Sequence, residues 1–126
     1  MVRWIIDGNN VMGSRPDRWW NDRPAAMARL TQEIAEWCWT HSDPVLLVFD
    51  GIAVDHVVEL SGGNLEVRFS QRSGRNAADD VIAQEARSQP SPLTVVTADK
   101  GLKHRLPSAV RPEGPSTFLA RLAPRS

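Results

Sequence analysis

The sequence predicts a three-layer α/β domain built on a mainly parallel central sheet. Three observations predict it. Four short apolar runs are each bounded by turn-forming residues, and helical periodicity fills most of the chain between them. Three of the four runs are almost continuously apolar, as in strands covered on both faces. Strand-helix alternation of this kind points to crossover connections and parallel pairing. The 126 residues suffice for one domain with a sizeable core.

In chain order, Trp4-Ile5-Ile6 is the first strand and runs into Asp7-Gly8-Asn9-Asn10. A helix follows over Pro24–Trp39, where Met27, Leu30, Ile34 and Trp37 recur at three- and four-residue spacing and Pro24 suits the first turn. Val45–Phe49 is the second strand, ending in Asp50-Gly51. Val57–Leu60, ahead of Gly62-Gly63, is read as a fifth strand in a hairpin with the alternating strand Leu65–Phe69. Ala78, Ile82 and Ala86 mark a helix over Ala77–Arg87, with Asn76 as cap and Pro90 beyond its end. Leu93–Val96 is the next strand and runs into Thr97-Ala98-Asp99. A short helix over Lys100–Leu106, capped by Asp99 and stopped by Pro107, and a terminal helix over Ser116–Leu122 complete the reading.

Composition narrows the function classes. The single Cys38 excludes an intramolecular disulfide framework and a multi-cysteine zinc site. No apolar run approaches the length of a membrane span, and the first residues lack the pattern of a secretory signal, so a cytoplasmic location is expected. Fifteen basic and fifteen acidic side chains exclude a protein that holds nucleic acid by bulk charge. Thirteen of the fifteen basic residues are Arg, which forks onto phosphate, although a GC-rich genome would give the same bias.

The acidic residues are the most informative. Asp7, Asp50 and Asp99 each close an apolar strand, so a parallel sheet brings them to one edge, where ligands bind in such folds. Asp79, with Asp80 beside it as an auxiliary acid, opens a helix that faces the same edge. Each acid alone has a local explanation as a turn or helix-cap residue. Four together repel, which raises the pKa of some members and calls for a cation. An all-oxygen set without His or Cys suits Mg²⁺ or Mn²⁺ and metal-assisted hydrolysis of a phosphodiester. Asn10 and Thr97 stand where they could orient a metal-bound water or cap local backbone.

Ile5-Ile6-Asp7-Gly8-Asn9-Asn10-Val11-Met12-Gly13 resembles the opening of the YacP-like NYN domains, relatives of the PIN ribonucleases. Phe49-Asp50-Gly51, then Gly74 to Ile82, then Val95 to Lys100 resemble the later motifs of that family in order and spacing. The resemblance extends over residues 2–104. It implies a Rossmann-like, PIN-like fold, one NYN/PIN-like domain over residues 1–126, and metal-dependent cleavage of RNA. It implies that Asp7, Asp50, Asp79 and Asp99 form the metal site and carry catalysis. RNA is the partner it implies, ribosome-associated RNA included, with room for a homodimer. The chain departs from the pattern at Asn9-Asn10, where relatives often carry Tyr-Asn, and at Asn76, where they often carry Glu; substrate preference is what those positions affect.

Arg68, Arg72 and Arg75, around the third strand and the following loop, and Lys100, Lys103, His104 and Arg105, after Asp99, are the candidate RNA-binding side chains. Adjacent Trp19 and Trp20 cannot both face one core, and an exposed indole can stack on a base. Trp4, Trp37 and Trp39 are expected to be core or half-buried, and His41 and His56 to be surface residues. Cys38 has no nearby His placed as a base, so a thiol nucleophile is not expected. A phospho-accepting receiver domain would use Asp50, Thr97 and Lys100, but it needs an acidic pair after the first strand, where Gly8-Asn9-Asn10 stands, and it leaves Asp79 without a role. A phosphatase with Asp7 as nucleophile would want a second acid at position 9, which is Asn9. A non-catalytic PIN-like module gripping RNA or the ribosome is the other reading; eroded acids would mark it, and here all four are present.

Overall fold

A computed structural model of the chain describes residues 2–72, 74, 76–88 and 92–123. Five parallel strands form one sheet: β1 (Arg3–Asp7), β2 (Val45–Phe49), β3 (Leu65–Phe69), β4 (Leu93–Val96) and β5 (Arg111–Glu113), in the order β3-β2-β1-β4-β5. Among the described residues six α-helices accompany them, α1 (Gly8–Gly13), α2 (Arg23–Cys38), α3 (Asp55–Val58), α4 (Ala77–Ser88), α5 (Lys100–Arg105) and α6 (Pro115–Leu122), with a single 3-10 turn over Trp19–Asn21. From β1 the chain steps outward through β2 to β3. It then crosses back over β1 to β4 and β5. Right-handed crossovers put the connecting helices of the two directions on opposite faces. Accordingly, Trp4, Ile6, Leu47, Phe49 and Val67 pack under α1, α2, α3 and α6, while Ile5, Leu46, Val48 and Val95 pack under α4 and α5. The alternation along β1 and β2 explains their unbroken apolar sequences: each strand is buried on both faces. No helix among the described residues is long and apolar enough to cross a membrane.

Three elements depart from the sequence reading. Val57–Leu60 is not a strand. Residues Asp55–Val58 form α3, with the Val54 carbonyl accepting from the N–H groups of both Val57 and Val58, and only Val57 turned fully inward. The fifth strand is instead β5, an Arg-Pro-Glu segment paired on one side only; Pro112 is tolerated because it sits on the sheet edge. The six-residue α1 was not foreseen. It begins directly after β1, and Gly8 permits this: a Cβ there would stand 2.6 Å from the Phe49 ring and 2.8 Å from the Val48 carbonyl oxygen. Trp39 was expected to be at least half-buried but is 77% exposed, because α2 and its apolar stripe end at Cys38. His41, expected at the surface, is half-buried with its ring 4.3 Å from that of Trp37. Pro90 and Arg75 lie outside the described residues.

Candidate active site

The strand order reverses between β1 and β4, and the crevice beyond the carboxyl ends of the strands there is where doubly wound sheets take ligands. Asp7 ends β1 at this point, 5% exposed and therefore largely desolvated. Across the reversal, the Thr97 hydroxyl donates to Asp7 Oδ2 at 2.9 Å and accepts from the Asp99 N–H at 3.1 Å. One buried hydroxyl thus fixes both the Asp7 carboxylate and the backbone that carries Asp99.

The two asparagines after Asp7 reach in opposite directions. Asn9 Oδ1 accepts from the Asp50 N–H at 2.7 Å, on the β2 side. Asn10 Oδ1 accepts from the Ala98 N–H at 2.8 Å, on the β4 side. Since β2 and β4 flank β1, the first turn of α1 pins the loops after both neighbouring strands. Asn9 escaped the sequence reading, which singled out Asn10 alone; the adjacent pair of amides was the available signal. Asp50 Oδ1 accepts from the Ala78 N–H at 3.0 Å and holds the start of α4, while Asp99 Oδ1 caps α5 through the Leu102 N–H at 3.1 Å. The local cap role is therefore real for Asp99, whereas Asp50, read as a turn residue, braces α4 from 28 residues away, and each anchored oxygen orients its carboxylate.

Asp7, Asp50, Asp79 and Asp99 line one open cavity of about 250 Å³, together with Asn9, Asn10 and Ala78. Burial pushes the Asp7 carboxyl up to about 6, with Asp79 and Asp99 adding repulsion and the Thr97 hydroxyl and the Asn10 backbone N–H opposing it. Asp79 is also raised, first by burial and then by the Asp99 charge, against the pull of Arg105. Among the described residues, no three His, Cys, Asp or Glu side chains stand close enough to be a ready-made metal-ligand set. The donor chemistry fits a hard cation all the same: Mg²⁺ retains several waters and takes only one or two carboxylates beside a phosphate. Four carboxylates facing one cavity, with two of them raised by burial and mutual repulsion, present the uncompensated charge such an ion relieves.

The basic residues divide. Arg72 and Arg105 both pair with Asp80, Arg105 at 2.8 Å. Asp80 is held below the usual carboxylate range by the Arg72 hydrogen bond first and the Arg105 hydrogen bond second. The two guanidinium groups, from different segments, thus meet at Asp80, and Arg105 also acts on Asp79. Arg68 does not belong to this group. It stands level with Asp7 in the sheet register, but its guanidinium is taken by Glu66 at 2.8 Å and Glu85 at 2.6 Å, and Glu85 also lies 3.9 Å from Arg3. Lys100 and Lys103 are exposed on α5. Cys38 is buried and its thiol is pushed up to about 11 by burial, in keeping with an inert core residue.

The family model of the YacP-like NYN domain matches residues 4–108. The chain belongs to the YacP-like NYN domain family. These are PIN-like nuclease domains, which generally work with divalent metal ions on RNA. Two solved structures share the fold. One is Rae1 (YacP) from Bacillus subtilis, with a TM-score of 0.74 at 20% identity over 97% of this chain and 74% of that one. The other is a mutant form of the same protein, with a TM-score of 0.76 at 22% identity over 97% and 75%. At this identity the likeness speaks for the fold. No curated protein sequence matches the chain.

Proposed function

We propose that this YacP-like NYN domain, residues 1–126 acting as one unit, is a Mg²⁺- or Mn²⁺-dependent ribonuclease that cuts RNA phosphodiesters endonucleolytically. The observation that carries this reading is the convergence of Asp7, Asp50, Asp79 and Asp99, from four separate segments, on one open cavity at the switch point of the sheet. Asp7, Asp79 and Asp99 would hold the cation, because their charges act on one another; Asp50, which acts on Asp79, would hold a second ion or orient the attacking water. A divalent cation, when bound, offsets charge on the attacked phosphate and makes hydroxide available near neutral pH. No histidine lines the cavity, so base catalysis falls to carboxylates and solvent. Thr97, Asn9 and Asn10 keep the acids in register from below and from both sides. Arg72, Arg105, Lys100 and Lys103 lie on the segments bordering the cavity and would take flanking phosphates of the RNA. In the reaction, a water oxygen bonds to phosphorus and the bond from phosphorus to the 3′ oxygen breaks. The 3′ oxygen leaves as a hydroxyl after taking up a proton, and the phosphate stays on the 5′ end.

The test is incubation of the purified chain with assorted RNAs, with and without Mn²⁺, beside an Asp7→Asn control. Cleavage that needs the metal and Asp7 supports the reading. Binding without metal-dependent cleavage would replace it with a module that grips RNA or the ribosome.

A further inference from the structure

Beside the acidic cavity lies a second one of about 300 Å³, lined by Arg23, Met27, Asp50, Gly51 and Gly74. The two share Asp50. Among the described residues, and apart from the adjoining ones, no atom lies within 4 Å of where a Cβ would stand at Gly51 or Gly74. Arg23 is exposed at the first turn of α2, and its guanidinium lies 5.9 Å from the centre of the Trp19 ring. Trp20 meets Trp19 edge-on, with centroids 5.8 Å apart and planes at 86°, and is itself 60% exposed. A strip therefore runs from the aspartates past Asp50 and bare glycine backbone to a cation and then to an exposed indole.

We infer that this strip is a nucleotide subsite: Arg23 takes a phosphate of single-stranded RNA next to the one held at the aspartates, and Trp20, braced by Trp19, stacks on a base. The inference rests on the ribonuclease reading. The occupant is a nucleic-acid strand because a cation stands beside an exposed aromatic ring, a pairing that suits a charged backbone carrying flat bases. Continuity at Asp50 makes it the same strand that enters the acidic cavity. An apolar protein partner would want a contiguous hydrophobic patch. Of the other exposed large apolar side chains, Trp39 lies past the far end of α2, and Ile52, next to Gly51, is a single side chain.

The test uses the Asp7→Asn chain, so that binding is read without cleavage, and a mixed-sequence single-stranded RNA dodecamer as probe. Tryptophan fluorescence should be quenched on titration. Trp20→Ala should lose part of that quenching and weaken binding roughly 5- to 100-fold, and Trp20→Phe should restore most of the affinity. Arg23→Gln should lower the slope of log affinity against log salt by about 0.7, the share of one phosphate contact on a single strand. Both side chains are exposed, and unchanged melting temperatures would show that the fold is untouched. Unaltered affinity and salt slope in Trp20→Ala and Arg23→Gln would overturn the subsite while leaving the ribonuclease reading standing. If these variants lose a protein or ribosome contact but bind the free dodecamer normally, the strip is a protein-docking surface and the inference fails. If the parent chain neither binds RNA nor cuts it, both readings fall.

Discussion

Asp7→Asn should change stability in a way only its buried charge explains. Burial pushes the Asp7 carboxyl up to about 6 in the folded chain, from an ordinary 3.8. The folded state therefore holds its proton more tightly than the unfolded chain, and stability falls as pH rises between the two values. At about 1.4 kcal/mol per unit, the full penalty is roughly 3 kcal/mol above pH 6. Asn carries no such penalty. The stability difference, variant minus wild type, should grow by about 2–3 kcal/mol between pH 4 and pH 7.5 and then level off. For a domain of this size that is a relative rise in melting temperature on the order of 5–15 °C. Urea unfolding of both proteins in EDTA, at half-unit pH steps, measures the gap directly, and subtraction cancels the groups the two share. A gap that stays constant across this window would refute the reasoning, because the Asp7 charge would then cost nothing on folding. Millimolar Mn²⁺ should close the gap by stabilising the wild type alone.

Four further outcomes follow from the same geometry. Asp79→Asn should weaken the rise in melting temperature that Mn²⁺ gives the wild type, as seen by calorimetry; an undiminished rise would remove Asp79 from the cation site. Cleaved RNA should carry 5′-phosphate and 3′-hydroxyl ends, and 2′,3′-cyclic phosphate in end-group analysis would instead show attack by the RNA's own 2′-hydroxyl. Gly8→Ala should destabilise by about 1–3 kcal/mol in urea unfolding, because its methyl would meet the Phe49 ring and the Val48 carbonyl. Thr97→Val should cost about 1–3 kcal/mol and drive the Asp7 carboxyl still higher, which an NMR titration of that carboxyl would follow.

The sequence carried the elements whose patterns repeat and hid those too short to have one. β1, β2 and β4 could be read because burial on both faces demands unbroken apolar runs, and α2 and α4 because a stripe at helical spacing spans several turns. β5 has three residues, none with an apolar side chain facing a core from both sides, and owes its place to edge pairing with β4. Val57-Val58 reads locally as strand because β-branched neighbours favour that state, yet packing of one buried valine against α2 and β3 settles the segment as helix. At the site, the positions of the acids were legible because a parallel sheet turns strand ends into one edge. The pairing of the arginines was not. Arg68 finds its partners 2 and 17 residues away, on its own strand and on α4, and nothing in its local sequence separates it from Arg72.

The distribution of compensated and uncompensated charge ties the fold to the proposed chemistry. Asp80 is cancelled by two arginines at the rim. Among the described residues Asp7 receives no cationic partner, only the Thr97 hydroxyl and the Asn10 backbone N–H, and Asp79 feels Arg105 only through space. The loops on either side of Asp7 are held by the neutral amides of Asn9 and Asn10, which add rigidity without adding positive charge. Those amide oxygens accept from the backbone N–H groups of Asp50 and Ala98, a role no lysine could take, so the loops are anchored without a cation beside the carboxylates. A fold needing the four aspartates only as helix and loop caps would have no reason to keep Asp7 buried and raised toward neutrality. In the proposed ribonuclease, that residual negative charge, fixed in place at the switch point, would be offset by a divalent cation, and the cation would in turn take the RNA phosphate.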